Sequence, residues 1–126
     1  MRRLIFASYL LLIRIEILML FTDLSSLHDL VRRRLVRNIP EKQGIPSREE
    51  LCHAMDLACV FYPKRVMCLQ RSAATTLLLR RYGKKAEMVI GAQFLPFKAH
   101  AWVEIDGAVV NDKPYILEVY RPLERC

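Results

Sequence analysis

The period of apolar and polar positions changes once along the chain, near residue 85. Residues 3–22 are almost wholly apolar, interrupted by Arg3, Arg14 and Glu16. No small-x-small cleavage site follows, and eighteen uncharged residues never occur in a row. Both points argue against a secretory signal and a membrane-spanning segment. The expectation is a helix over 3–22 buried on most sides, with peripheral contact to a membrane as the other use of so apolar a segment. A second helix is predicted over 27–38, with Ser26 and Asp29 as a capping pair and Pro40, Gly44 and Pro46 closing it. A third starts at Ser47, where Glu50 follows three residues on, and stops at Pro63. A fourth runs from Cys68 to Tyr82, with leucines at 69, 77, 78 and 79 and Gly83 as its stop. Beyond it the period becomes that of strands: 86–94, 99–105, 108–111 and 115–120 are short β-rich runs separated by turn residues. Helices first and strands afterwards specify an α+β fold with a small, mostly antiparallel sheet.

Composition narrows this picture. At 126 residues the chain is expected to form a single domain, 1–126, with a helical N-terminal part over 1–62 and a helix and sheet over 63–126. An apolar share of 53% excludes a mainly disordered chain. The net charge of +7 admits an acidic peptide, an anionic membrane surface or nucleic acid as partner. Arg32, Arg33, Arg34 and Arg37, and the stretch Arg80–Lys85, are the basic faces; each is a solvated surface or a docking surface. Cysteines at 52, 59, 68 and 126 have neither the density of a disulfide framework nor a C-x-x-C metal knuckle. Free thiols in a reducing cytoplasm are the simpler reading, and no metal or cofactor is expected. Cys52 and Cys59, seven apart, share a helix face as small buried residues.

Three residues stand in an order that can do chemistry: Cys68 opening a helix, His100 in a strand and Asp112 after the next strand. Unpaired N–H groups and the dipole at a helix start favour negative charge, on a thiolate or on a developing oxyanion. An imidazole can take the thiol proton, and a carboxylate can fix that imidazole's tautomer. Four Cys and three His make some such triple almost inevitable, so register has to sharpen it. A two-residue loop at Asp106-Gly107 pairs Ile105 with Ala108 and sets His100 and Asp112 on opposite faces. A type I turn with Gly107 as a bulge pairs Glu104 with Ala108 and His100 with Asp112. The bulged turn is therefore the expectation.

The wording of residues 67–112 carries a resemblance. Cys68-Leu69-Gln70-Arg71-Ser72, Arg80-Arg81-Tyr82-Gly83, Val89-Ile90-Gly91, Pro96-Phe97, His100 to Glu104 and Val110-Asn111-Asp112 follow one another at compact spacing. This pattern resembles the leader peptidase of lasso-peptide biosynthesis, a member of the transglutaminase-like, papain-like cysteine protease superfamily. The resemblance implies a transglutaminase-like fold, with Cys68 as nucleophile, His100 as general base and acid, and Asp112 as its orienter. Trp102 and Arg71 become substrate-binding candidates, with core packing for Trp102 and bracing of the helix start for Arg71 as the plainer readings. The family removes the leader from a ribosomally made precursor, and a separate ATP-dependent cyclase then closes the product. With no leader-recognition domain ahead of the helices, the expectation is a stand-alone protease served by a separate leader-recognition protein. Two other classes remain: acyl transfer by the same three residues, as in transglutaminases, and a non-enzymatic basic adaptor for membrane or nucleic acid.

Overall fold

The computed structural model describes residues 1–39 and 44–126. Its elements run α1 (Arg2–Phe21), α2 (Leu24–Arg33), α3 (Arg48–Phe61), α4 (Cys68–Arg81), β1 (Ala86–Phe94), β2 (Phe97–Ile105), β3 (Ala108–Val109), α5 (Ile116–Val119) and β4 (Arg121–Arg125). The strands form one antiparallel sheet in the order β3-β2-β1-β4. Helices and sheet segregate along the chain, which is the α+β arrangement read from the change of period.

The central element is α4. Every residue from Ser72 to Arg80 is buried, because α1, α2 and α3 pack on one side of the helix and β1 and β2 on the other. Its small residues, Ala73 and Ala74, let neighbours approach, while Leu77, Leu78 and Leu79 fill the core with Leu11, Ile15, Leu51 and Met55. Burying such side chains is the main favourable term for so small a chain, about 1.5–3 kcal/mol for each large one. Arg80 would be out of place there as a bare charge. Its guanidinium instead donates to the carbonyls of Ala86 at 2.8 Å, Val31 at 2.5 Å and Arg34 at 3.0 Å. It stitches α4 to the ends of α2 and β1, and is thus not part of the exposed basic face expected over 80–85.

Several local expectations are corrected. Helix α2 begins at Leu24, capped by Asp23, whose carboxylate accepts from the Ser26 N–H at 3.1 Å; Ser26 is not the cap. It ends at Arg33, since the segment from Arg34 turns extended and the Arg37 N–H donates to the Arg80 carbonyl. The stop assigned to Pro40 lies outside the described residues. Ser47 does cap α3, accepting from the Glu50 N–H at 3.2 Å. Residues 115–120 form no strand: Ile116–Val119 make one helical turn, and the fourth strand is Arg121–Arg125. That turn buries Ile116 against Val89 and Trp102, a contact an extended run would not make. Helix α1 is not buried on most sides. Leu4, Leu11, Leu12 and Ile15 face the core, while Phe6, Ile17, Leu20 and Phe21 are exposed. The reason is layering: α1 packs on α2, α3 and α4 through its buried residues, and its remaining surface is left exposed.

Candidate active site

The β2–β3 hairpin positions the site, and its turn is not the one expected. Asp106 and Gly107 both have positive φ, 51° and 80°, the signature of a two-residue type I′ turn, and Ile105 pairs with Ala108. Extended in register, this ladder would leave Asp112 on the wrong face. It is not extended. Strand β3 ends at Val109, the Val110 N–H still donates to the Val103 carbonyl at 3.0 Å, and then the side chain of Asn111 takes over. Its Oδ1 accepts from the Val103 N–H at 2.8 Å, so the backbone is free to bend away. Asp112 follows that bend and its Oδ2 accepts from His100 Nε2 at 2.7 Å. His100 and Asp112 therefore meet, through strand termination rather than through a bulge.

The imidazole is held on its faces as well as its edge. Side chains alternate along β2, so His100, Trp102 and Glu104 share the sheet face opposite the helical layer. Tyr120 stacks on the His100 ring at 5.1 Å between centroids and 28° between planes. Trp102 lies at 6.1 Å and 25°. Trp102 is itself fully buried, its indole N–H donating to Glu104 Oε2 at 2.7 Å, and Glu104 accepts from Arg125 at 2.5 Å. Trp102 thus both packs with Val89 and Ile116 and walls the imidazole. Tyr120 was not singled out from the sequence, because only the turn at α5 brings it back over β2.

Cys68 is the first residue of α4 and is partly exposed. The start of α4 has no acidic residue in its first turn and no side-chain cap, whereas α2 and α3 are capped by Asp23 and Ser47. Its leading N–H groups are therefore not used by a capping side chain. One turn on from Cys68, Arg71 donates to Asp56 at 2.6 Å and to the Asn111 carbonyl at 3.1 Å. Arg71 ties α4 to the loop that carries Asp112. Among the described residues no hydrogen bond joins the Cys68 thiol to His100; the imidazole bond goes to Asp112 and leaves Nδ1 as the free ring nitrogen. The other thiols are set apart by burial, which pushes Cys52 up to about 11 and raises Cys59 and Cys126 as well. The Gln93 amide donates to the Pro96 carbonyl at 3.2 Å in the hairpin tip. Among the described residues no group of three His, Cys, Asp or Glu side chains is placed to hold a metal ion.

Comparison with known proteins bears on this arrangement. Residues 10–125 match the family model of the transglutaminase-like superfamily. Over 47 residues the chain is 43% identical to the microcin J25-processing protein McjB of Escherichia coli, covering 37% of this chain and 23% of that protein. The matched segment is thus less than a quarter of that relative's length. No solved structure matches the chain.

Proposed function

The chain belongs to the transglutaminase-like superfamily, and on that premise we propose that it is a cysteine peptidase that removes the leader from a ribosomally made lasso-peptide precursor. The observation that carries the reading is the His100–Asp112 bond at 2.7 Å, with Cys68 at the uncapped start of α4 as the sulfur nucleophile it would serve. The similarity to a microcin-processing protein supports a peptide precursor as the substrate class. Leader recognition by a further protein, and ring closure by an ATP-dependent cyclase, would precede and follow the cut.

In this mechanism Asp112 fixes the proton on Nε2, so Nδ1 is the basic nitrogen of His100. Nδ1 takes the Cys68 proton as the sulfur attacks the scissile carbonyl, a contact that this mechanism requires the bound precursor to bring about. The carbonyl oxygen becomes an oxyanion, met by the unused N–H groups of the first turn of α4. Collapse breaks the C–N bond, and the imidazolium gives its proton to the departing amine of the mature segment. The leader is left as a thioester on Cys68. Water, losing its proton to Nδ1, attacks that thioester and releases the leader carboxylate and the thiol. Tyr120 and Trp102 keep the imidazole from turning away between the two half-reactions.

The test is mass analysis of a precursor incubated with the wild-type chain, Cys68→Ala, His100→Ala and Asp112→Asn. Hydrolysis gives a leader fragment heavier by one water; an added amine in its place assigns the chain to acyl transfer instead. Cys68→Ala should yield no product while retaining the wild-type melting temperature, and processing at the wild-type rate by that variant overturns the reading.

A further inference from the structure

The chemistry above leaves the outer face of α1 without a use. Phe6, Leu10, Ile13, Ile17 and Leu20 recur at alternating spacings of four and three, so they form one continuous stripe along the helix. Phe6 is 64% exposed, Ile17 51%, Leu20 70% and the adjoining Phe21 83%. Contiguous apolar surface of this kind is rare unless something covers it. The helix is long and apolar enough to cross a bilayer, with a mean hydropathy of 2.2. Yet its other face, Leu4, Leu11, Leu12 and Ile15, belongs to the core against α3 and α4. Leaving the domain to span a membrane would open that core. Lying on a surface would not.

Charge decides which surface. Arg3 and Arg14 lie along one edge of the stripe and Arg2 at its N-terminal end, whereas the helix's one carboxylate, Glu16, is paired with Lys64. Arg14 also lines a groove of about 440 Å³ between α1, α2 and α4, together with Leu30, Leu77, Arg34, Arg37 and Arg81. Among the described residues no carboxylate lines this groove. A second copy laid stripe to stripe would bring arginines against arginines. An anionic surface would neutralise them.

We infer that the outer face of α1 seats in the interface of an anionic lipid bilayer, its apolar stripe among the upper acyl chains and Arg14, Arg34, Arg37 and Arg81 on headgroup phosphates. This is independent of the peptidase reading, since no residue of the candidate active site takes part. The full chain should sediment with phosphatidylcholine vesicles containing phosphatidylglycerol and much less with phosphatidylcholine alone. The triple change Phe6→Ser, Ile17→Ser and Leu20→Ser should abolish binding, with helix content and melting temperature retained because all three positions are exposed. Replacing Arg14, Arg34, Arg37 and Arg81 by Gln should weaken binding to the anionic vesicles by about fivefold per residue, an effect that shrinks as salt rises. Failure of the folded wild-type chain to sediment with either vesicle overturns the inference. So does equal binding to both vesicles, or unchanged binding of the serine variant. A dimer in solution that the serine variant dissolves would assign the stripe to a second copy and overturn it too.

Discussion

A Cβ atom added to Gly91 would lie 2.4 Å from the Trp102 ring, and 2.9 Å from the Arg121 carbonyl. Gly91 pairs with His100 across β1 and β2, and β4 shifts register beside it, so the indole occupies the space over this one residue. The reason for glycine here is close packing, not backbone conformation.

Gly91→Ala should therefore behave as an overpacking change, costing about 1–3 kcal/mol. Moving the indole also disturbs the stack on His100, so precursor cleavage should fall more than the loss of folded protein accounts for. Urea denaturation and cleavage rates on the same preparations separate the two effects.

Asn111 ends the β2–β3 ladder by side chain, which is what allows Asp112 to reach His100. Asn111→Leu leaves the Val103 N–H without its acceptor and should cost about 1–3 kcal/mol. Asn111→Asp keeps an acceptor oxygen and should retain more of both stability and cleavage. Equal losses in the two variants would show that the side-chain acceptor is not what shapes the bend.

Arg80 satisfies three carbonyls at once, so Arg80→Met should destabilise the chain, by about 1–3 kcal/mol for each carbonyl left buried without a donor. Arg80→Lys should not restore it, because an ammonium cannot reach in the fork geometry of a guanidinium. Chemical denaturation of both variants checks this.

The thiols should divide by environment. Iodoacetamide at neutral pH should label partly exposed Cys68 ahead of buried Cys52, as peptide mapping would reveal. Burial raises the folded-state Cys52 thiol from 9.0 to about 11, so the unfolded chain ionises first. The resulting stability is present in full below pH 9 and is lost as pH rises from there through about 11. It amounts to on the order of 2 kcal/mol. Denaturation midpoints across that window should fall less steeply in Cys52→Ala than in wild type.

Much of the site was legible because its parts have local causes. Ser47 with Glu50 marks the start of α3, and the run after Met67 starts α4 at Cys68. The change from helical to strand period gives the fold class. The run from Cys68 to Asp112 points to the proposed chemistry only through its resemblance. Neither His100–Asp112 contact nor its route follows from those local signals: Asp106-Gly107 fits both a tight and a bulged turn, and the tight one formed.

What the sequence determined by itself is therefore whatever a few neighbouring residues can settle: caps, periods, the order of elements and the residues able to carry a proton or a sulfur nucleophile. Tertiary structure decided which of these meet. Asn111 ends a strand because a side-chain oxygen outcompetes the next ladder bond, α5 folds because Ile116 finds Trp102, and Tyr120 reaches His100 only as a result. The two faces of α1 are similarly apolar in sequence, and only the limited cover from α3 and α4 makes one core and the other surface. Such outcomes depend on contacts between residues far apart in the chain, whose free energies exist only once the intervening segments have folded.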